Sequence, residues 1–182
     1  FNQIEFFIKS LRKYYDGEIC IIIDYKNYAL EEVLKKYNCK TIKTNINKKT
    51  IQFKRYKIFS KYLENKKFNN VLLCDGRDIY FQENPFKFDL SSPINFFLED
   101  HPIKECPYNS NWIMKTYGNV EFKKISNKTI LCSGTVLGKF EKIKEYLNIM
   151  NKHIEKFKYK KRFKYLFTFR TDPEGRGCDQ GH

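Results

Sequence analysis

Apolar side chains recur at a spacing of three and four near the start of the chain, at Ile4, Phe7, Ile8, Leu11, Tyr14 and Tyr15, which predicts an amphipathic helix over 2–15. Asp16-Gly17 ends it. From Glu18 to Ile23 the pattern changes to a continuous apolar run, the signature of a short strand covered on both faces, as in a parallel sheet. Asp24 closes that strand. The helical spacing returns over 29–37, a short strand follows over Cys39 to Ile42, and a longer helix is expected over 50–64. Its apolar positions are Ile51, Tyr56, Ile58, Phe59, Tyr62 and Leu63. Asn70 to Cys74 is a second buried-strand run, and it delivers the chain directly into Asp75-Gly76-Arg77-Asp78.

Strand and helix thus alternate over the first part of the chain, which argues for βαβ units and a mostly parallel central sheet flanked by helices. The remainder is more mixed. Ile94 to Leu98 reads as a strand leading to Glu99-Asp100, and Asn109 to Tyr117 as a helix stopped by Gly118. Thr129 to Gly138 reads as a strand interrupted at Ser133-Gly134, and Glu141 to His153 as an amphipathic helix. There is no internal repeat and no linker rich in Pro, Gly or Ser, so residues 1–182 are expected to form a single α/β domain. Ligands of such sheets bind beyond the carboxyl ends of the strands, which is where Asp75 and Asp78 fall.

Composition narrows the class. A chain of 182 residues with 17% aromatics is far from the make-up of a disordered segment. No apolar run reaches the ~20 residues of a membrane span, and no signal-peptide pattern opens the chain. The net charge of +14 allows a nucleic-acid partner, but the lysines are spread over helices and loops. Their densest run, Lys156 to Lys164, is read first as a solvated face and second as a contact for phosphate, acidic glycan or a membrane surface. Nucleic-acid recognition ranks last. The six cysteines fit no zinc or disulfide spacing. Cys20, Cys74 and Cys132 lie in apolar stretches and read as buried free thiols. Free thiols favour the cytoplasm, with the secretory-pathway lumen the alternative for a longer parent chain.

The chemistry concentrates at the acid pair. Two carboxylates three residues apart on a turn repel each other unless positive charge lies between them. Mg²⁺ or Mn²⁺ would remove the conflict, since these ions are held by one or two carboxylates together with substrate phosphates. An ordinary ion pair with Arg77 is the alternative.

Several segments in order are similar to the GT-A glycosyltransferases. They are Arg55-Tyr-Lys-Ile-Phe-Ser-Lys-Tyr-Leu63, Val71-Leu-Leu-Cys-Asp-Gly-Arg-Asp-Ile-Tyr-Phe-Gln82, Asn84-Pro-Phe86, Phe97-Leu-Glu-Asp100, Asn111-Trp112, Cys132-Ser-Gly-Thr-Val-Leu-Gly138 and Cys178-Asp-Gln-Gly-His182. Their order and spacing resemble the glycogenin-like and lipopolysaccharide-galactosyltransferase-like enzymes, over nearly the whole chain. The resemblance implies a GT-A (Rossmann-like) fold and metal-dependent transfer of a hexose from a nucleotide-diphosphate sugar to a protein, glycan or lipid acceptor. It implies Asp75 and Asp78 as the acids at Mn²⁺ (or Mg²⁺), here spaced DxxD rather than DxD. Arg55 resembles the helix arginine at the nucleotide phosphates, and Gly76 and Arg77 belong to the same motif. Ser133 and Gly134 resemble the element lining the donor sugar, with Cys132 where that element usually has Asn. Asp179 and Gln180 resemble the pair facing the anomeric carbon, which leans toward retention. The related enzymes also carry a strand ahead of the first helix and a segment after Asp-Gln, so this chain reads as a fragment of a longer one.

Other positions carry weaker signals. Glu99-Asp100 is balanced between sugar or acceptor contact and solvated acids at a strand end. Trp112 reads as a core aromatic before a sugar platform. Asp24 reads as a turn residue, and His101 and His153 as surface or structural. Two rivals stand beside the transferase: a non-catalytic module for glycans or anionic polymers derived from it, and a metal-dependent nucleotidyltransferase. Donor sugar, acceptor and oligomeric state are not encoded in any of these patterns.

Overall fold

The computed structural model describes residues 2–25, 28–45, 51–77, 79–89 and 91–165, with the side chains of 2 and 157–165 excepted. The elements run α1 (Asn2–Arg12), β1 (Cys20–Asp24), α2 (Tyr28–Lys36), β2 (Lys40–Thr44), α3 (Ile51–Leu63), β3 (Asn70–Cys74), β4 (Ile94–Pro102), α4 (Pro107–Tyr117), α5 (Asn119–Ile125), β5 (Thr129–Lys139) and α6 (Phe140–Tyr165). Short 3₁₀ turns cover Pro85–Lys87 and Ile103–Glu105.

The protein is mixed α/β, but its strands form two small sheets rather than one mostly parallel sheet. β1 and β2 pair in parallel, from Cys20 opposite Lys40 to Asp24 opposite Thr44. β5 lies between β3 and β4 and runs antiparallel to both. The apolar runs at 19–23 and 70–74 record cover on both faces, which the parallel β1 and the antiparallel edge strand β3 share, Val71 and Leu73 packing to one side of β3 and Leu72 and Cys74 to the other, so the pattern could not assign the neighbours. Because β3 and β4 both oppose β5, their carboxyl ends emerge at the same edge of the sheet. β5 is continuous from Thr129 to Lys139, so the expected break at Ser133-Gly134 does not occur. The irregularity lies on the β4 side, where the register shifts between Phe96 and Leu98 and again before Pro102.

Three apolar clusters hold the elements. In the first, Phe140, Ile143, Leu147, Met150 and Ile154 of α6 pack against Phe53, Tyr56 and Leu63 of α3 and against Val136 of β5. This three/four spacing is why α6 forms where it does, although the helix extends to Tyr165, past the expected end at His153. The second cluster joins α1, β1 and α2 through Phe7, Ile8, Ile23, Leu30 and Leu34, and draws in Leu72 and Cys74 of β3. β1 and β3 therefore share a core while belonging to different sheets. A smaller third cluster, Ile103, Ile113 and Ile130, seats α4 on β5, and Trp112 of α4 packs against the first cluster, as expected of a core aromatic.

Two local devices set the early helix ends. α1 stops at Arg12 rather than continuing to residue 15, because the Arg12 guanidinium turns back over the following chain. It donates to the carbonyls of Tyr15 (3.0 Å), Gly17 (2.7 Å), Tyr37 (2.9 Å) and Asn38 (2.9 Å), tying the ends of α1 and α2 together. α2 ends where Asn38 enters the left-handed region at φ 51°, with the Cys39 amide donating to Leu34 at 2.9 Å. Among the described residues no helix is long and apolar enough to cross a membrane. Of the five described cysteines, all unpaired, Cys39 is buried while Cys20, Cys74, Cys106 and Cys132 are half-buried, less enclosed than the sequence reading of Cys20, Cys74 and Cys132 expected.

Candidate functional site

The edge at which β3 ends is built by three segments far apart in sequence. Asp75 is the first residue beyond β3, and its backbone amide still donates to Gly134 of β5 at 2.8 Å, which fixes where the carboxylate starts from. α3 supplies the counter-charge. Its Phe53 and Tyr56 are buried, and that anchoring turns Arg55 toward the strand ends. Arg55 Nη1 donates to Asp75 Oδ1 at 2.6 Å, and Nη2 donates to the Ser133 carbonyl at 3.0 Å and to the Tyr56 hydroxyl at 3.4 Å. The guanidinium also lies 5.2 Å from the Tyr56 ring centroid. The Arg55 side chain is only 14% exposed while that of Asp75 is 58% exposed, so the pair presents its acid, not its base, to solvent.

Gly134 makes the approach possible. A Cβ there would lie 2.9 Å from Asp75 Oδ2 and 3.5 Å from Cys132 Sγ, the first distance shorter than side chains tolerate. Behind the pair is a small crevice lined by Tyr56, Phe59, Leu73, Cys74, Val136 and Tyr146. Burial, aided by the negative charge of Asp75, pushes the Cys74 thiol up to about 12. It stays protonated at neutral pH, which makes it a poor nucleophile.

Of the residues singled out in the sequence, the structure brings Arg55, Asp75, Ser133 and Gly134 together. Gly76 is half-buried beside them, and Arg77 is exposed with no ion pair to a described residue. The ion pair that the sequence offered to Arg77 is formed instead by Arg55. Asp78, Asp179 and Gln180 lie outside the described residues, as does Cys178. Tyr56 was not foreseen as a neighbour of the site; its i, i+1 placement beside Arg55 was the available signal.

Among the described residues no group of three or more His, Cys, Asp or Glu side chains could hold a metal ion. Asp75 offers one hard oxygen ligand, with Oδ1 already engaged by Arg55. That donor set fits a divalent cation shared with a substrate's phosphates, and does not fit a cage made by the described residues alone. Compared with known proteins, the chain matches no family model, no curated protein and no solved structure. The reading of this site therefore rests on its geometry and on the ordered motifs.

Proposed function

We propose that the Asp75 edge is the diphosphate end of a donor site in a metal-dependent glycosyltransferase, one that moves a hexose from a nucleotide-diphosphate sugar to an acceptor. The observation that carries this reading is the convergence of Arg55, Asp75 and Ser133-Gly134 at one strand end, from segments up to 78 residues apart. A leaving diphosphate needs positive charge where its own negative charge develops. Arg55 and Arg77 are the described cations for that task. Asp75 with Asp78 would hold Mn²⁺ or Mg²⁺, which supplies Lewis-acid stabilisation of the departing phosphate. Ser133 and Gly134 are assigned to the donor sugar, and Asp179 and Gln180 to the anomeric carbon, with retention of configuration.

The test is Mn²⁺-dependent hydrolysis or transfer across a panel of nucleotide sugars, using the full-length parent protein. Asp75→Ala and Asp78→Ala should each abolish turnover while circular dichroism stays unchanged. Turnover retained in both variants sinks the assignment.

One observation favours a second reading. Asp75 already has a full counter-charge in Arg55 without any metal, as a non-catalytic module descended from such an enzyme would have. Binding of a glycan or anionic polymer with no donor hydrolysis in any metal would select that alternative.

A further inference from the structure

The outer face of the α3–α6 helix pair carries positive charge that the Asp75 edge does not use, and its role is independent of the transferase reading. α6 begins beside the connection from α3 to β3: the Phe140 amide donates to the Asn69 carbonyl at 3.1 Å, and the Phe68 and Phe140 rings lie 5.8 Å apart. From there α6 runs back along α3. Asn151 Nδ2 donates to Ser60 Oγ at 2.8 Å and to the Tyr56 carbonyl at 3.5 Å. The two helices therefore lie antiparallel and side by side, with Phe53, Tyr56, Leu147 and Ile154 in their shared core.

The solvent sides of both helices are basic. On α3, Lys54, Lys57 and Lys61 are exposed and share one row at a spacing of three and four, and the helix contains no Asp or Glu. On α6 the first turns are neutralised by the Lys142–Glu145 and Lys144–Glu141 pairs. Beyond them the charge is one-sided. Lys152 and Lys156 are exposed on the row that begins at Ile149, itself 48% exposed. From 146 to 165 Glu155 is the single acid against seven Lys and Arg. Among the described side chains of α6, Ile154 is the last in the core, yet the helix continues to Tyr165. All nine residues from 157 to 165 are Lys, Arg, Phe or Tyr, five cations and four aromatics.

Lys57 with Lys61, and Lys152 with Lys156, are like-charged i, i+4 pairs on adjacent helices, an arrangement that opposes the fold until anions meet it. We propose that this α3–α6 face docks on an anionic membrane surface, with α6 lying in the plane of the lipid headgroups. The complement must be extended as well as anionic, because the rows follow α3 for about 20 Å and α6 for longer. Polybasic segments are drawn to anionic leaflets in this way. Ile149 favours lipid over nucleic acid: an aliphatic side chain offers no ring on which a base can stack. Set among lysines, it can enter the boundary between headgroups and acyl chains while their stems reach back to the phosphates. No described helix is long and apolar enough to cross a membrane, so the contact is one of lying on the surface.

The experiment is flotation of the full chain with vesicles of phosphatidylcholine alone or with a third phosphatidylserine, at low and at physiological salt, beside a titration with poly(U) RNA. The chain should float with the phosphatidylserine vesicles only, and less so as salt rises. Lys54→Gln, Lys57→Gln and Lys61→Gln together should lower partitioning by ~tenfold or more, at about fivefold for each lysine held near the surface. The same charge removed on the α4–α5 side, by Lys104→Gln, Lys123→Gln and Lys128→Gln at exposed positions, should change it far less. That contrast separates a docking face from net charge. Ile149→Ser should weaken binding at physiological salt with unchanged circular dichroism. Equal losses from the two triple variants overturn the proposal, as does a chain that floats with neither vesicle or an Ile149→Ser variant that binds as wild type. Tighter binding to RNA than to phosphatidylserine vesicles, lost in the α3 variant, overturns it in favour of a nucleic-acid contact.

Discussion

Glu18 should be among the most costly single charges to remove from this fold. It stands just ahead of β1 and accepts from three donors on different segments: Lys40 at the start of β2, the Tyr62 hydroxyl of α3 at 2.7 Å, and Lys66 at 3.2 Å. Its side chain is 23% exposed. Partial burial pushes the carboxyl pKa up, but the bonds from Lys40, Tyr62 and Lys66 outweigh that and hold it at about 2, against an ordinary 4.5. At ~1.4 kcal/mol per pH unit, the difference corresponds to about 3 kcal/mol of stability. Solvent screening of the half-exposed lysines makes that an upper figure. The folded pKa is depressed, so this stability is complete above 4.5 and lost as pH falls from 4.5 toward 2. Glu18→Gln should therefore lower the urea-unfolding free energy at neutral pH by about 2–3 kcal/mol. It should also flatten the dependence of that free energy on pH across the same acid window. A variant within ~0.5 kcal/mol of wild type, with an unchanged acid slope, would refute the reasoning, because it would mean the three donors are as well satisfied by water.

Gly138 lies opposite Ile94 in the β5–β4 ladder, where an added Cβ would meet the Pro93 carbonyl at 2.9 Å and the Ile94 Cα at 3.0 Å. Since both are backbone atoms that cannot rotate away, Gly138→Ala should cost about 1–3 kcal/mol in chemical denaturation; a neutral result would show that β4 slides freely at its first residue. Gly134→Ala presses instead on Asp75 Oδ2, a side chain that can turn aside. Its fold should survive while donor turnover falls by about 10²-fold, the scale of an ångström-size misplacement at a reacting centre, as read in a nucleotide-sugar hydrolysis assay.

The helices were largely legible because their information is local. The apolar spacing of α3 and α6 stands in the sequence whatever they pack against, and even the early end of α1 changes only the last few residues of its prediction. α5 was missed: seven residues between Gly118, at φ 92°, and a turn offer too short a window for periodicity. Sheet partnership was not legible, since the burial of Val71 to Cys74 says nothing of whether the adjoining strand runs with or against them. For the site, the types Asp, Arg and Ser-Gly were visible, but their pairing was not. Arg77 is nearest to Asp75 in sequence, yet Arg55 reaches it because α3 packs over β3 and β5 through Phe53, Tyr56 and Val136.

That pairing gives Arg55 two opposed effects on one site, and they can be separated. Its charge neutralises Asp75 and so competes with any cation for Oδ1, while the same charge would attract the phosphates of a nucleotide. Lysine cannot stand in for it, because a single ammonium lacks the fork that holds the Asp75 carboxylate and the Ser133 carbonyl together. Arg55→Met keeps the apolar stem and removes the guanidinium, with its charge and its bonds to Asp75 and Ser133. With Asp75 more than half exposed, water screens the change, so the gain in Mn²⁺ affinity without nucleotide should be modest, about tenfold or ~1.4 kcal/mol. The affinity for a nucleoside diphosphate with Mn²⁺ saturating should fall in the same variant. Titration calorimetry with Mn²⁺ alone, then with uridine or guanosine diphosphate, reads both. Opposite signs in the two titrations are what an arginine shared between acid and phosphate requires. If both affinities rise, Arg55 is only a plug on the acid and the phosphates lie elsewhere; if neither moves, Asp75 is not a ligand.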